Sequence, residues 1–294
     1  MAAENPKTAE ITFTILDCYG LKNVLDILKS FRNESVLRFS PKGISIFEAG
    51  AGETSTQHYE IFGNELLDYF YPFTEEEMPV YHVGITADQI FNIMKPESKK
   101  EMLKFIVCIN LEDYTTIGFY PSCGKSANRL ESFNKIRTCS IPKVRDYTDY
   151  YEDFYKDVPP TCRVATMAFV KAYTTIKAIR CNNIRFVLDP DGFLQMQGCV
   201  DDHVETVINL SAPDEEVPID SNANEESDFV IEDLEPPYQI TLKISNIIWF
   251  HKLARLSQSS ICKIYILDKK PLVIRTNLGS GWGVATFSFN NDLM

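Results

Sequence analysis

SIPKVRDYTDYYEDFYKDVPP, residues 140–160, decides how the chain is divided. It sets Tyr147, Tyr150, Tyr151, Phe154 and Tyr155 among acids and closes on Pro159-Pro160, which disfavour helix and favour extended backbone. Such a stretch reads as a connector between two units. On either side the same order of elements is expected: a strand, a helix carrying lysines, several strands, a second helix with basic residues, and more strands. At 294 residues and 45% hydrophobic content the chain can hold two cores of ordinary size. The expected division is 1–139, a connector at 140–160, and 161–294.

Ahead of the connector, residues 19–33 predict a helix. Leu21, Val24, Leu25, Leu28 and Phe31 recur at helical spacing, with Lys22 and Lys29 on the other side. A hairpin follows around Pro41-Lys42-Gly43. Thr86 is the expected cap of a short helix through Met94 that Pro96 closes, leaving Lys95, Lys99 and Lys100 at its end. Strands are expected at 103–109, 115–120 and 133–141.

Beyond the connector, residues 166–180 repeat the first helix and carry Lys171, Lys177 and Arg180. Strands at 184–188 and 193–197 flank Asp189-Pro190-Asp191-Gly192, whose proline and glycine suit a turn. A strand at 203–210 precedes residues 213–235, which hold ten Asp or Glu and no Lys or Arg. That segment reads as a solvated loop with a short strand at 229–231. A strand at 238–244, a fourth helix capped by Ser245 and running through Phe250 and Leu253, and strands at 261–267, 272–276 and 284–289 complete an α+β chain.

The charge is unevenly placed. The four helical segments 19–33, 86–100, 166–180 and 245–258 carry +2, +1, +3 and +2, together +8, so the rest of a −12 chain carries −20. Long lysines solvate exposed helix faces in many proteins. Basic excess on all four helices points instead to a shared purpose, a positive stripe on a negative body that meets phosphate backbones. Few Arg or Asn are placed to reach base edges and no groove-reading motif is present, so the contact is expected to be independent of sequence.

Other chemistry finds little support. Eight scattered cysteines, with no C-x-x-C, signal neither zinc nor a disulfide framework and read as mostly buried thiols. No apolar run approaches the roughly 18 residues of a membrane span, and no signal peptide opens the chain, so a soluble, non-secreted protein is expected. Gly124-Lys125-Ser126 lacks the first glycine of a phosphate loop, Phe119 standing there. Gly50-Ala51-Gly52 and the glycines at 279, 281 and 283 read as turns. Asp201-Asp202-His203 puts neighbouring side chains on opposite faces of a strand, which does not suit a metal. His58 and His82 have no nucleophile or carboxylate constellation, so no catalytic residue, metal or cofactor is assigned.

The C-terminal stretch carries a resemblance. Glu235-Pro236, the helix with Phe250 and Lys252, Leu256-Ser257, and Lys270-Pro271-Leu272-Val273-Ile274 before a glycine turn resemble the proliferating-cell nuclear antigen family of sliding clamps. Leu21-Lys22-Asn23-Val24-Leu25-Asp26-Ile27-Leu28-Lys29 resembles that family's first helix and residues 83–95 its second. No single motif is highly specific; the order of several, over nearly the whole chain, carries the likeness.

The resemblance implies a DNA-clamp fold of two similar domains, each with two helices inside and antiparallel sheets outside, closed head-to-tail into a ring, usually of three subunits. It implies a DNA polymerase processivity factor, not an enzyme, that encircles double-stranded DNA in replication or repair. A clamp-loader ATPase would open it, and clients would bind through short peptides. Lys22, Lys29, Lys95, Lys99, Lys100, Lys171, Lys177, Arg180, Lys252 and Arg255 would face DNA. Phe133, Ile136 and Cys139 would pair with Val204, Val207 and Leu210 of the next subunit, and Ala49, Phe154, Tyr155, Val158, Pro159 and Phe289 would meet client peptides.

Two departures redraw the client site: residues 48–53 read Glu-Ala-Gly-Ala-Gly-Glu in place of the family's client loop, and Asn290-Asn291 replace its Ala-Pro. Such divergence suits a virus-encoded or lineage-specific clamp. The location implied is the nucleus, or a cytoplasmic viral replication site. The rival readings are a clamp-like subunit of a hetero-oligomer in damage signalling or viral transcription, and a monomeric or dimeric factor that grips DNA by charge.

Overall fold

In the computed structural model the described residues are 8–50, 54–94, 102–110, 115–122, 134–138, 158–188, 193–200, 203–210, 238–256, 261–266 and 270–290. Residues 140–157 of the expected connector, and the acidic 213–235 segment with its expected strand, lie outside them. The first half runs β1 (Thr8–Ile15), α1 (Cys18–Phe31), β2 (Glu34–Ser40), β3 (Gly43–Ala49), β4 (Ser55–Phe62), β5 (Leu67–Phe70), β6 (Tyr81–Thr86), α2 (Ala87–Met94), β7 (Met102–Asn110), β8 (Thr116–Ser122) and β9 (Asn134–Arg137). The second runs β10 (Cys162–Ala165), α3 (Thr166–Ala178), β11 (Asn183–Leu188), β12 (Leu194–Val200), β13 (His203–Asn209), β14 (Tyr238–Lys243), a 3-10 helix (Ile244–Arg255), β15 (Ile261–Tyr265), β16 (Leu272–Leu278) and β17 (Gly283–Phe289). Among the described residues the order repeats, the first half adding β5 and a single 3-10 turn at Gly63–Glu65.

The pairing repeats too. In the first half β1-β7-β8-β9 form one ladder and β6-β2-β3-β4 the other; in the second they are β10-β15-β16-β17 and β14-β11-β12-β13. All these pairs are antiparallel. The halves are joined where β17 pairs β4, from Gly283↔Ile61 to Phe289↔Ser55, making one eight-stranded sheet. Asn290 N–H extends that ladder to the Thr54 carbonyl at 2.8 Å. The halves are thus tied by a sheet as well as by the chain itself.

The helices form one layer against these sheets: α2 packs on α1, α1 on the 3-10 helix, and the 3-10 helix on α3. Leu21, Val24, Leu25 and Leu28 turn α1 inward as their spacing requires. The Asp17 carboxylate caps it, Oδ1 accepting from Gly20 N–H at 2.8 Å, while Oδ2 accepts from Trp282 Nε1–H at 3.1 Å. One side chain therefore caps the first helix and ties it to the β16–β17 turn. Gly279 in that turn has φ +53, and a Cβ there would collide with Trp282 Nε1 and Asp17. Gly279→Ala is expected to cost about 2–4 kcal/mol, from the left-handed backbone plus the clash. The shift in denaturant midpoint measures it.

Two expected caps are corrected. The first amides of α2 go to Asn33, Ala87 N–H to its carbonyl at 2.7 Å and Asp88 N–H to its Oδ1 at 3.1 Å, while Thr86 ends β6. Ser245 lies inside the fourth helix, which begins at Ile244 without a side-chain cap and breaks at Ile247. This helix is 3-10, and its apolar residues recur every three positions: Ile244, Ile247, Phe250, Leu253 and Leu256. An i,i+3 row eclipses on a 3-10 helix and keeps all five toward the core. Among the described cysteines, five are buried and Cys108 is half-exposed, all as free thiols. Burial pushes the Cys162 and Cys262 thiols up to about 12 and about 11.

Candidate nucleic-acid interface

The helix layer has its own charge arrangement, set by one carboxylate. Asp26, on α1, lies 3.7 Å from Lys29 Nζ through Oδ1, and its Oδ2 lies 3.1 Å from Lys252 Nζ and 3.8 Å from Arg255. Lys252 also donates to the Asp26 carbonyl at 3.0 Å and to Ser30 Oγ at 2.7 Å, which leaves its side chain 16% exposed. Lys29 reaches Asp88 on α2 at 3.7 Å and sits over the Phe91 ring at the same distance. Asn23 Nδ2 donates to the Arg255 carbonyl at 2.8 Å, closing the same seam. Lys29 and Lys252 therefore hold helices together as well as carrying charge.

The C-terminal half differs. α3 has no acid from Thr166 to Ala178, and Lys171, Lys177 and Arg180 are all exposed. Lys177 lies over the Tyr173 ring, 5.9 Å from its centroid. Arg180 ends the helix with φ 62, a left-handed position that glycine or asparagine takes at little cost. Lys22 is half-buried on α1. Lys95, Lys99 and Lys100 lie outside the described residues, so the basic excess expected of the second helix falls there.

Among the described residues β9 and β13 are each the last strand of a sheet, β9 paired by β8 alone and β13 by β12 alone. Val204 and Val207 on β13 are 44% and 50% exposed, while Leu210 packs against the core. Ile136 lies in β9; Phe133 and Cys139 lie outside the described residues.

The residues expected to meet client peptides are not all brought together. Ala49, at the end of β3, and Val158 are half-buried, and Pro159 is exposed. Phe154 and Tyr155 lie outside the described residues. Phe289 is a correction: it is buried among Trp249 and Phe250, with ring centroids 6.0 and 5.3 Å away, so its side chain offers no surface to a peptide. Two polar groups whose burial the sequence does not signal lie nearby. Glu48 is buried, accepting from Val36 N–H at 3.2 Å with Arg32 at 3.8 Å. Gln57, opposite it on β4, is fully buried and accepts from Tyr59 Oη–H at 2.7 Å.

Burial raises the Glu48 carboxyl above its usual range, partly offset by the Val36 amide and Arg32. An acid with a raised folded pKa is disfavoured as the ion. Its cost is full above the raised value and gone below the ordinary one. Glu48→Gln is thus expected to raise the melting temperature relative to the parent at pH 8, with the gain shrinking to nothing as pH falls through the ordinary carboxylate range. Melting both proteins across that range checks the sign.

No protein-family model matches the sequence, and no curated protein does. Solved structures match over nearly the whole chain. The PCNA2–PCNA3 complex of Sulfolobus tokodaii gives a TM-score of 0.69 at 15% identity, covering 96% of this chain and 100% of that one. The proliferating cellular nuclear antigen of Entamoeba histolytica gives 0.69 at 14% identity, covering 95% and 98%. The PCNA of A. fulgidus, bound to the C-terminal region of FEN-1, gives 0.66 at 14% identity, covering 95% and 97%. The chain has the α+β clamp fold of these proteins, with few helices and extensive antiparallel sheets.

Proposed function

We propose that this chain is the subunit of a sliding clamp, a non-catalytic ring that encircles double-stranded DNA and tethers a DNA polymerase and other replication or repair clients. The observation that carries this reading is the internal repeat of the pairing scheme. β17 is the counterpart of β9, and β4 the counterpart of β13. The β17–β4 ladder inside the chain is therefore the pattern for a β9–β13 ladder between copies. A contact that joins unlike ends propagates head-to-tail and closes if its rotation divides a circle. It also covers two edges that would otherwise invite aggregation.

Units 1–139 and 161–294 are then the two domains of each subunit, and three subunits give six similar joints in alternation. The helix layer lines the hole, and phosphate contact there is sequence-independent. Holding a polymerase on such a ring makes its rebinding to the primer end intramolecular and raises its effective concentration there. A loader ATPase opens the ring, and clients enter by short peptides near Ala49, Val158 and Pro159. The nucleus is the proposed location, or a cytoplasmic viral replication site for a virus-encoded clamp.

Light scattering after size exclusion, at micromolar concentration, tests the assembly. Three times the 33.6 kDa chain mass is expected. A monomer that persists at high concentration contradicts self-closure and favours a clamp completed by a different chain.

A further inference from the structure

We propose that phosphate contact in the lumen is one-sided: it is concentrated on α3, and Asp26 withholds Lys29, Lys252 and Arg255 from it. This rests on the clamp reading above. A count of charges treats every lysine of the helix layer alike, and the geometry separates them. Asp26 faces Lys29, Lys252 and Arg255 within 3.8 Å, and Asp88 takes a second share of Lys29. A phosphate approaching this region meets three cations that share two carboxylates and, for Lys252, a side chain largely covered by α1. Lys252 has committed its donors to the Asp26 carbonyl and carboxylate and Ser30.

On α3 nothing comparable happens. Lys171, Lys177 and Arg180 are exposed and form no ion pair among the described residues, and the helix carries no carboxylate between Thr166 and Ala178. Lys171 and Lys177 stand about 9 Å apart along the helix axis. Arg180 adds an independent sign. It occupies a left-handed backbone position that costs a non-glycine residue about 1–2 kcal/mol. Backbone strain kept in place by an exposed cation points to a use for that cation. Lys29 and Lys252 thus hold α2, α1 and the 3-10 helix together, and α3 presents its cations to the ligand.

The test is the salt dependence of binding to a short fluorescent duplex, read by anisotropy for the full chain and three variants. Each lost phosphate contact lowers the slope of log K against log salt by about 0.9. Lys171→Gln/Lys177→Gln/Arg180→Gln is expected to lower it by about 2 to 3, and Lys29→Gln by less than about 0.5. Asp26→Asn, which frees Arg255 first, is expected to steepen it by about one. The α3 variant changes exposed side chains only, so it keeps the test sound if Asp26→Asn loosens the helix seam. Parent protein that binds with a slope untouched by the α3 changes, or lowered as much by Lys29→Gln, overturns the one-sided lumen alone. An Asp26→Asn slope no steeper than the parent's overturns the withholding role. Parent protein with no salt-dependent binding to the short duplex overturns this inference alone, since a ring can slide off open ends and the clamp reading is decided by retention on end-blocked DNA.

Discussion

Val204→Asp/Val207→Asp is expected to leave a folded monomer where the parent chain assembles. Both valines are exposed on the edge strand β13. In the proposed ring they lie at the β9–β13 joint, where aspartates would trade apolar burial for desolvated carboxylates. A loss of about 4 kcal/mol per joint weakens each contact about a thousandfold. Because neither side chain supports the core, the variant's own unfolding should change by no more than about 0.5 kcal/mol. Mass by light scattering and a thermal melt of the same sample separate the two effects. An assembly that survives these changes would place the joint elsewhere.

Trp249→Ala is the second large effect, and it acts on the joint inside the chain. Trp249 is 1% exposed on the 3-10 helix, its ring centroid 4.6 Å from Phe287, 5.0 Å from Phe250 and 6.0 Å from Phe289. Phe287 and Phe289 lie on β17, the strand that pairs β4. Removing the indole opens a cavity beneath the sheet that joins the halves and is expected to cost about 3–5 kcal/mol. Trp249→Phe makes an instructive contrast. The buried Nε1–H has no hydrogen-bond partner among the described residues, so phenylalanine discards an unsatisfied donor along with some packing. Its cost should stay under about 1.5 kcal/mol. Denaturant titration at one fixed protein concentration compares the three, since assembly would shift each apparent stability.

The sequence is most legible where one period rules. Leu21, Val24, Leu25 and Leu28 mark α1, and Phe169, Tyr173 and Ile176 mark α3, because a 3.6-residue repeat of buried side chains has few other meanings. The hairpins flanked by Gly43 and by 189–192 are legible from turn chemistry. β4 is not, because its inward positions are Ser55, Gln57, Tyr59 and Ile61, so polar groups stand on the buried face. The fourth helix is legible as a helix but not in its type, since a three-residue repeat also fits the face of a short α-helix. Summed charge locates the helix layer as the basic surface and stops there. That Asp26 gathers three cations depends on α1 meeting the 3-10 helix 226 residues away. No local pattern near residue 26 signals such a meeting. Phe289 misleads for a different reason: the resemblance implies a client-facing residue there, and the aromatic stack with Trp249 buries it.

Retention on linear duplex DNA with both ends blocked by bulky caps tests the central claim most directly, because it needs no loader. Chains are incubated with open-ended duplex, the ends are capped, and salt is raised until charge contacts are screened. A ring predicts protein held on capped DNA and lost as soon as one cap is cut away. Equal loss from capped and uncapped DNA would mean the chain grips by charge alone, and would contradict the ring.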